Sequence, residues 1–181
     1  MLRVFVGLAI PPDIGNHLAL MQSGIRFARW VSPANLHMTL RFVGEIDEGL
    51  AEDLDDKLAG IRAPSFDLQL RGLDTFGNGR GPRSIFVGAA PCEALDRLAA
   101  KVDTAANRAG VPPERRKFKA HVTLARLKEV SGGHVGGFIE AYNTVQVAPF
   151  PVREFVLFRS HLLPEGAHYE PLVQYPLQDL G

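Results

Sequence analysis

The chain has 181 residues, 46% hydrophobic and 22% charged, with 20 Lys and Arg balanced by 20 Asp and Glu. A zero net charge argues against a broad nucleic-acid coat or a membrane-surface protein, but leaves room for a small basic pocket. The length is enough for one domain, or one domain built of two lobes, that hides roughly 70% of its unfolded surface.

The first segment, residues 2–10 (LRVFVGLAI), is β-branched and aromatic and predicts a strand. It lacks the basic flank and cleavage site of a secretory signal. Pro11, Pro12 and Asp13 open a helix, with Ile14, Leu18 and Met21 on one face. Residues 29–34 read as a turn or loop. Residues 35–43 alternate, with Leu36, Met38, Leu40 and Phe42 on one side and His37, Thr39 and Arg41 on the other. Residues 47–61 predict a helix with an apolar stripe of Leu50, Leu54, Leu58 and Ile61.

Residues 65–73 predict a strand, 76–83 (FGNGRGPR) a basic Gly-rich loop, and 84–89 another strand. Residues 93–109 predict a helix stopped by Gly110 and the prolines after it. Residues 118–127 (FKAHVTLARL) repeat the earlier alternation. A Gly-rich turn at 131–137 leads to a short helix near Phe138–Tyr142, then a long strand at 153–163 and a last one at roughly 169–177. Cys92 is the single cysteine, so no intrachain disulfide or cysteine-based zinc site is possible, which fits a reducing cytoplasm. No run approaches the ~20 apolar residues that span a bilayer.

The two halves share an order: strand, helix, then His-Met-Thr-Leu at 37–40 or His-Val-Thr-Leu at 121–124, about half the chain apart. Residues i and i+2 of a strand project from one face, roughly 7 Å apart. Each motif therefore aims an imidazole and a hydroxyl into one space while the residues between them fill the core. The β-branch of Thr favours strand, and its hydroxyl can donate to a phosphate oxygen. Two such pairs facing each other make a site for a phosphodiester. One neutral His takes a proton from water, and a protonated His gives one to the leaving oxygen. The two Thr hydroxyls hold the nonbridging oxygens, and no metal is required.

These motifs, with RVFVGLAIPPDI, RWVSPANLHMTLRFVGEI, LQLRGLDTFGNGRGPRSIFVG, FKAHVTLARLK and VREFVLFRSHLLPEGAHYEPL, resemble the 2H phosphoesterase superfamily. Within it the chain is similar to the bacterial RNA 2′,3′-cyclic phosphodiesterases, formerly called 2′-5′ RNA ligases. The resemblance runs from residue 3 to about 173. It implies a bilobal α+β fold of two antiparallel-sheet lobes with pseudo-two-fold symmetry, spanning residues 1–181 as one domain. It also implies hydrolysis of RNA 2′,3′-cyclic phosphate ends to 2′-phosphomonoesters. By family role His37 donates a proton to the leaving 3′-oxygen and His121 activates water. Reverse 2′-5′ joining of RNA ends without ATP is the expected minor activity. Thr39, Thr123 and Arg126 match the family's phosphate-binding positions. A cytoplasmic monomer that needs no cofactor and no metal, and binds no membrane, is expected.

Strict alternation puts Arg126 on the face opposite His121, so a bulge, a strand end or the long side chain must bring it round. By the same parity Arg41 shares the His37 face and is a second phosphate candidate. Phe118 could stack on a base, and Arg80 and Arg83 could touch an RNA backbone; a core aromatic and plain surface arginines are the competing readings. GNGRG lacks the Gly-Lys-Ser/Thr ending of a P-loop. His17, His134, His161 and His168 show no metal-ligand spacing, and Cys92 reads as structural. Two other functions fit the same motifs: a relative acting on a different phosphodiester, such as ADP-ribose 1″,2″-cyclic phosphate or a 2′-5′ oligonucleotide, and a noncatalytic RNA-end or nucleotide binding module.

Overall fold

The computed structural model describes residues 1–128 and 132–179. In chain order the elements are β1 (Leu2–Ala9), α1 (Pro12–Ala19), β2 (Ala28–Trp30), a 3-10 turn (Pro33–Asn35), β3 (His37–Ile46), α2 (Glu48–Ala59), β4 (Phe66–Leu68) and β5 (Leu70–Asn78). Then follow β6 (Gly81–Ala89), α3 (Glu93–Ala109), β7 (His121–Leu127), α4 (Gly132–Tyr142), β8 (Phe150–Val152), β9 (Glu154–Leu163) and β10 (Gly166–Pro176).

The helices form where the apolar spacing places them. Leu95, Leu98, Val102 and Ala106 of α3 are buried on one stripe, and Gly110 ends the helix at φ 109°, a left-handed conformation that only glycine adopts without strain. Asp47 caps α2 by accepting from the Leu50 N–H at 2.8 Å. Residue 131, the start of the predicted Gly-rich turn, lies outside the described residues; from Gly132 the chain is already helical, because Val135 and Phe138 bury an apolar edge.

The main sheet runs β10-β9-β1-β3-β7-β6-β5, with β2 also paired to β7. It is two four-stranded halves, β10-β9-β1-β3 and β2-β7-β6-β5. They are joined at β3 and β7 through one residue pair, Met38 with Val122. The predicted two lobes are thus continuous across a narrow seam, with antiparallel ladders on both sides. A small second sheet pairs β4 with β8.

Apolar residues of all four helices join Val4, Val6, Leu8, Met38, Leu40, Val122 and Leu124 in one core. The helices therefore cover one face of the sheet. On the other face Phe5, Val156 and Phe158 form a separate small cluster with Tyr169. That face also carries His37, packed against Phe5 and Tyr169.

Candidate active site

The seam builds the site. His37 and Thr39 flank Met38; His121 and Thr123 flank Val122. All four are half-buried, while Met38 and Val122 are wholly buried beneath them. Antiparallel pairing at Met38–Val122 sets His37 across from Thr123, and Thr39 across from His121. Two residues from each distant half thus share one open face around the pseudo-two-fold axis.

Both strands bulge at the same motif position. Along β3 the partners step from Val6–Arg41 to Gly7–Thr39, skipping Leu40. Along β7 they step from Ile85–Ala125 to Phe86–Thr123, skipping Leu124. One extra residue reverses the facing of everything after it. Arg126 therefore emerges exposed on the His121 face, as the bulge alternative required. Arg41 is turned the other way: it is 5% exposed, on the core side of β3. The placement of Arg41 on the His37 face by parity, which made it a second phosphate candidate, is corrected on that ground. Phe42 takes the place in the first lobe that Arg126 holds in the second, and is exposed instead of sharing the core face with Leu40. Gly7 makes the first bulge possible, since a Cβ there would sit 2.7 Å from the Met38 carbonyl oxygen.

Each imidazole is fixed the same way. The Nδ1 of His37 lies 2.9 Å from the Asn35 carbonyl, and that of His121 lies 2.7 Å from the Lys119 carbonyl. A carbonyl only accepts, so Nδ1 carries the proton in both rings and Nε2 is left for chemistry. The Nε2 of His37 lies 3.0 Å from the Thr39 hydroxyl. Aromatic walls complete the seating. His37 sits 4.7 Å from Phe5 and 4.9 Å from Tyr169; His121 sits 4.8 Å from Phe76 and 5.3 Å from Phe86, centroid to centroid.

Burial among these rings holds both imidazoles below their ordinary pKa, because it penalises the charged form. The carbonyl bonds offset part of this. Repulsion from Arg126 and His121 lowers His37 further, and Lys119 acts likewise on His121.

The segments that lead into the two histidines are cross-braced. The one before His37 is held by the His121 strand: β2 pairs with residues 125–127, and the Val31 N–H donates to the Leu124 carbonyl at 2.9 Å. The Gln22 amide donates to both the Val31 and Leu124 carbonyls. The segment before His121 is held by the His37 strand through Arg41. Its guanidinium donates to Asp103 at 2.7 Å, Asn107 at 3.1 Å, the Pro112 carbonyl at 2.8 Å and the Phe42 carbonyl at 2.6 Å. Arg41 thus holds an architectural position two residues beyond Thr39.

The remaining candidates lie elsewhere. Phe118 is half-buried against the core, and Arg80 and Arg83 are exposed on the β5–β6 hairpin. His17 and His134 are exposed on helices; His161 pairs with Glu170 at 2.6 Å and stacks with His168. Cys92 occupies the N-cap position of α3. Among the described residues no group of three or more His, Cys, Asp or Glu side chains is gathered as for a metal ion. Sequence reasoning missed Phe76, Lys119 and Arg29. The Lys119 ammonium lies 5.5 Å above Phe76 and 5.1 Å above Phe86. The aromatic residue directly before GNGRG is a signal for the His121 wall; Lys119, two residues before His121, matches Asn35 before His37.

Comparison with known proteins agrees with this architecture. A family model described as LigT like phosphoesterase matches twice, over residues 8–86 and 87–169, each match containing one of the two His-x-Thr motifs. An RNA 2′,3′-cyclic phosphodiesterase of Archaeoglobus fulgidus is 29% identical over 174 residues, covering 94% of this chain and 98% of that protein. One from Bacillus subtilis is 31% identical over 181 residues, covering 96% and 95%. The structure of E. coli LigT complexed with 3′-AMP superposes with a TM-score of 0.78 at 26% identity, covering 98% of each chain. With the family model matched over nearly the whole chain and relatives aligned along nearly its full length, the chain belongs to the LigT-like family of 2H phosphoesterases.

Proposed function

We propose that this chain is an RNA 2′,3′-cyclic phosphodiesterase that hydrolyses cyclic phosphate ends to 2′-phosphomonoesters with His37 and His121 as a proton-transfer pair. The observation that carries the reading is the seam: two identically oriented imidazoles, each with Nε2 free of the backbone, on one face about the Met38–Val122 pair. A phosphate seated there is flanked by both rings. Neutral His121 takes a proton at Nε2 as water attacks phosphorus, and the P–O3′ bond breaks. Protonated His37 delivers its Nε2 proton to the departing 3′-oxygen. The Thr39 and Thr123 hydroxyls and the Arg126 guanidinium hold the nonbridging oxygens as charge grows on them.

The acid and base roles follow the family's order of motifs. The anion itself prepares the acid: a negative phosphate between the rings favours the imidazolium that burial disfavours in the empty site. With a 5′-hydroxyl in place of water, the same groups open the cyclic phosphate to a 2′-5′ linkage: His121 takes the hydroxyl proton, the P–O5′ bond forms, and the 3′-oxygen leaves with the proton of His37. No described helix is long and apolar enough to cross a membrane, and we place the chain in the cytoplasm, acting as a single-domain monomer without a metal.

The test is turnover of a 2′,3′-cyclic nucleotide in EDTA with the product identified by phosphorus NMR. A 2′-phosphomonoester, lost on His37→Ala and on His121→Ala, is the expected result. A 3′-phosphate product, dependence on added metal, or turnover unchanged in both variants overturns the reading.

A further inference from the structure

Arg126 has a neighbour that neither motif contains. In the β2–β7 ladder Arg29 pairs directly with Arg126, so the two side chains share the open face, and both are exposed there. The flanking pair, Trp30 with Ala125, points the opposite way: Ala125 is fully buried, and the Trp30 ring lies 5.5 Å from Phe138. Like charges directly across an antiparallel ladder, with Cβ atoms about 4.5–5.5 Å apart, destabilise the sheet. Among the described residues neither arginine makes an ion pair or a cation–π contact that would offset this. The backbone that presents Arg29 is nonetheless firmly held, by the ladder itself and by the Gln22 and Val31 bonds just beyond it. A repulsive pair on a braced platform beside a phosphate site is the arrangement expected of an anion clamp that the ligand completes.

We infer that Arg29 binds a second phosphate of the substrate, the 5′-phosphate of the nucleotide whose 2′,3′-cyclic phosphate is opened, and so makes the enzyme prefer RNA ends over free cyclic nucleosides. The inference rests on the function proposed above. The bulge in β7 turns Arg126 to the His121 face, where the function proposed above has it hold the scissile phosphate. Arg29, one ladder rung across, is the nearest cation on β2. Two long side chains diverging from adjacent strands span consecutive phosphates of one nucleotide. Lys119 lies beside His121 instead, with its ammonium over Phe76 and Phe86.

The experiment compares adenosine 2′,3′-cyclic phosphate with its 5′-phosphorylated form and with a dinucleotide ending in the cyclic phosphate. The ratio of kcat/KM for the 5′-phosphorylated to the unphosphorylated substrate is expected to fall about tenfold to a hundredfold in Arg29→Gln. Arg29→Lys should restore much of it. The dependence of log kcat/KM on log salt for the dinucleotide should become shallower by about 0.7. The thermal midpoint of Arg29→Gln should be unchanged or raised, because a repulsion is removed. A ratio and salt slope equal to the parent's overturn the inference, as does a lowered midpoint with equal loss on all three substrates. If the parent protein turns over none of them, the enzymatic reading has failed instead. Calorimetric binding of adenosine 2′,5′-bisphosphate against adenosine 2′-phosphate then still decides about Arg29, which must account for any preference for the bisphosphate.

Discussion

Replacing Arg41 by Met should weaken the fold and slow catalysis without touching a group that contacts substrate. Met keeps most of the stem but removes the guanidinium, and with it one bond to a carboxylate and three to neutral acceptors. A charge-assisted bond contributes about 1.5–3 kcal/mol and a neutral one about 1. The Asp103 side chain is 45% exposed, so water can replace its partner, and the desolvation cost of the guanidinium is relieved. The net loss is about 2–4 kcal/mol, which for a chain of this size lowers the melting temperature by roughly 5–15 °C. The segment tied at Pro112 continues to Lys119, whose carbonyl orients the His121 ring. Loosening it should lower kcat about tenfold to a hundredfold well below the transition, with a smaller change in KM. Arg41→Lys should recover little, because an ammonium cannot reproduce the planar fork. Urea unfolding and steady-state kinetics read both effects. An Arg41→Met protein with the parent's midpoint and kcat would refute the cross-brace.

Both imidazoles are held below their ordinary pKa of about 6.5 by burial, so kcat/KM, which reports the free enzyme, should peak on the acid side of neutrality, while kcat should peak at higher pH because bound phosphate raises the pair. The same shifts fix a stability trend: the unfolded chain takes up protons at these histidines first, so stability should fall as pH drops through 6.5 toward the lowered folded values. His37→Gln should flatten that fall in a urea titration across pH. Gly7→Ala should cost about 1–3 kcal/mol and displace the first motif, because its Cβ would meet the Met38 carbonyl oxygen at 2.7 Å; a wild-type melting temperature and kcat would show that the bulge does not need glycine. Tyr175→Phe should cost about 1–2 kcal/mol in chemical denaturation, since the buried Tyr175 hydroxyl donates to Asp55 at 2.7 Å and seats β10 on α2; activity at low temperature should be unaffected.

The site was legible because its chemistry is periodic. Alternation marks His37 with Thr39 and His121 with Thr123 without ambiguity, and the repeat of the pattern says they belong together. What alternation cannot show is a break in its own rule. Nothing in Leu40 or Leu124 announces a bulge, so parity misplaced Arg41 and Phe42 and left Arg126 unexplained. The bulge is visible only in the partner strand's register. Three-residue β2 is too short for any period and reads as loop, yet it carries Arg29. The stretch 76–83 was read as a loop from its glycines. It is the end of a hairpin, and Gly77 is there because its backbone passes against the Gly81 carbonyl. Residues 65–73 divide at Gln69: Phe66–Leu68 pairs with β8 and Leu70 onward with β6, a choice made by partners that are distant in sequence.

The central claim is that His37 and His121 act as one unit on one phosphorus atom. The most direct measurement is kcat for His37→Ala, His121→Ala and the double variant on a 2′,3′-cyclic nucleotide, each confirmed folded by circular dichroism. Groups that work in one concerted transfer are strongly non-additive, so the double variant should be about as slow as either single one. Effects of the two substitutions that multiply, or a single variant that keeps most of the parent's rate, would contradict the account.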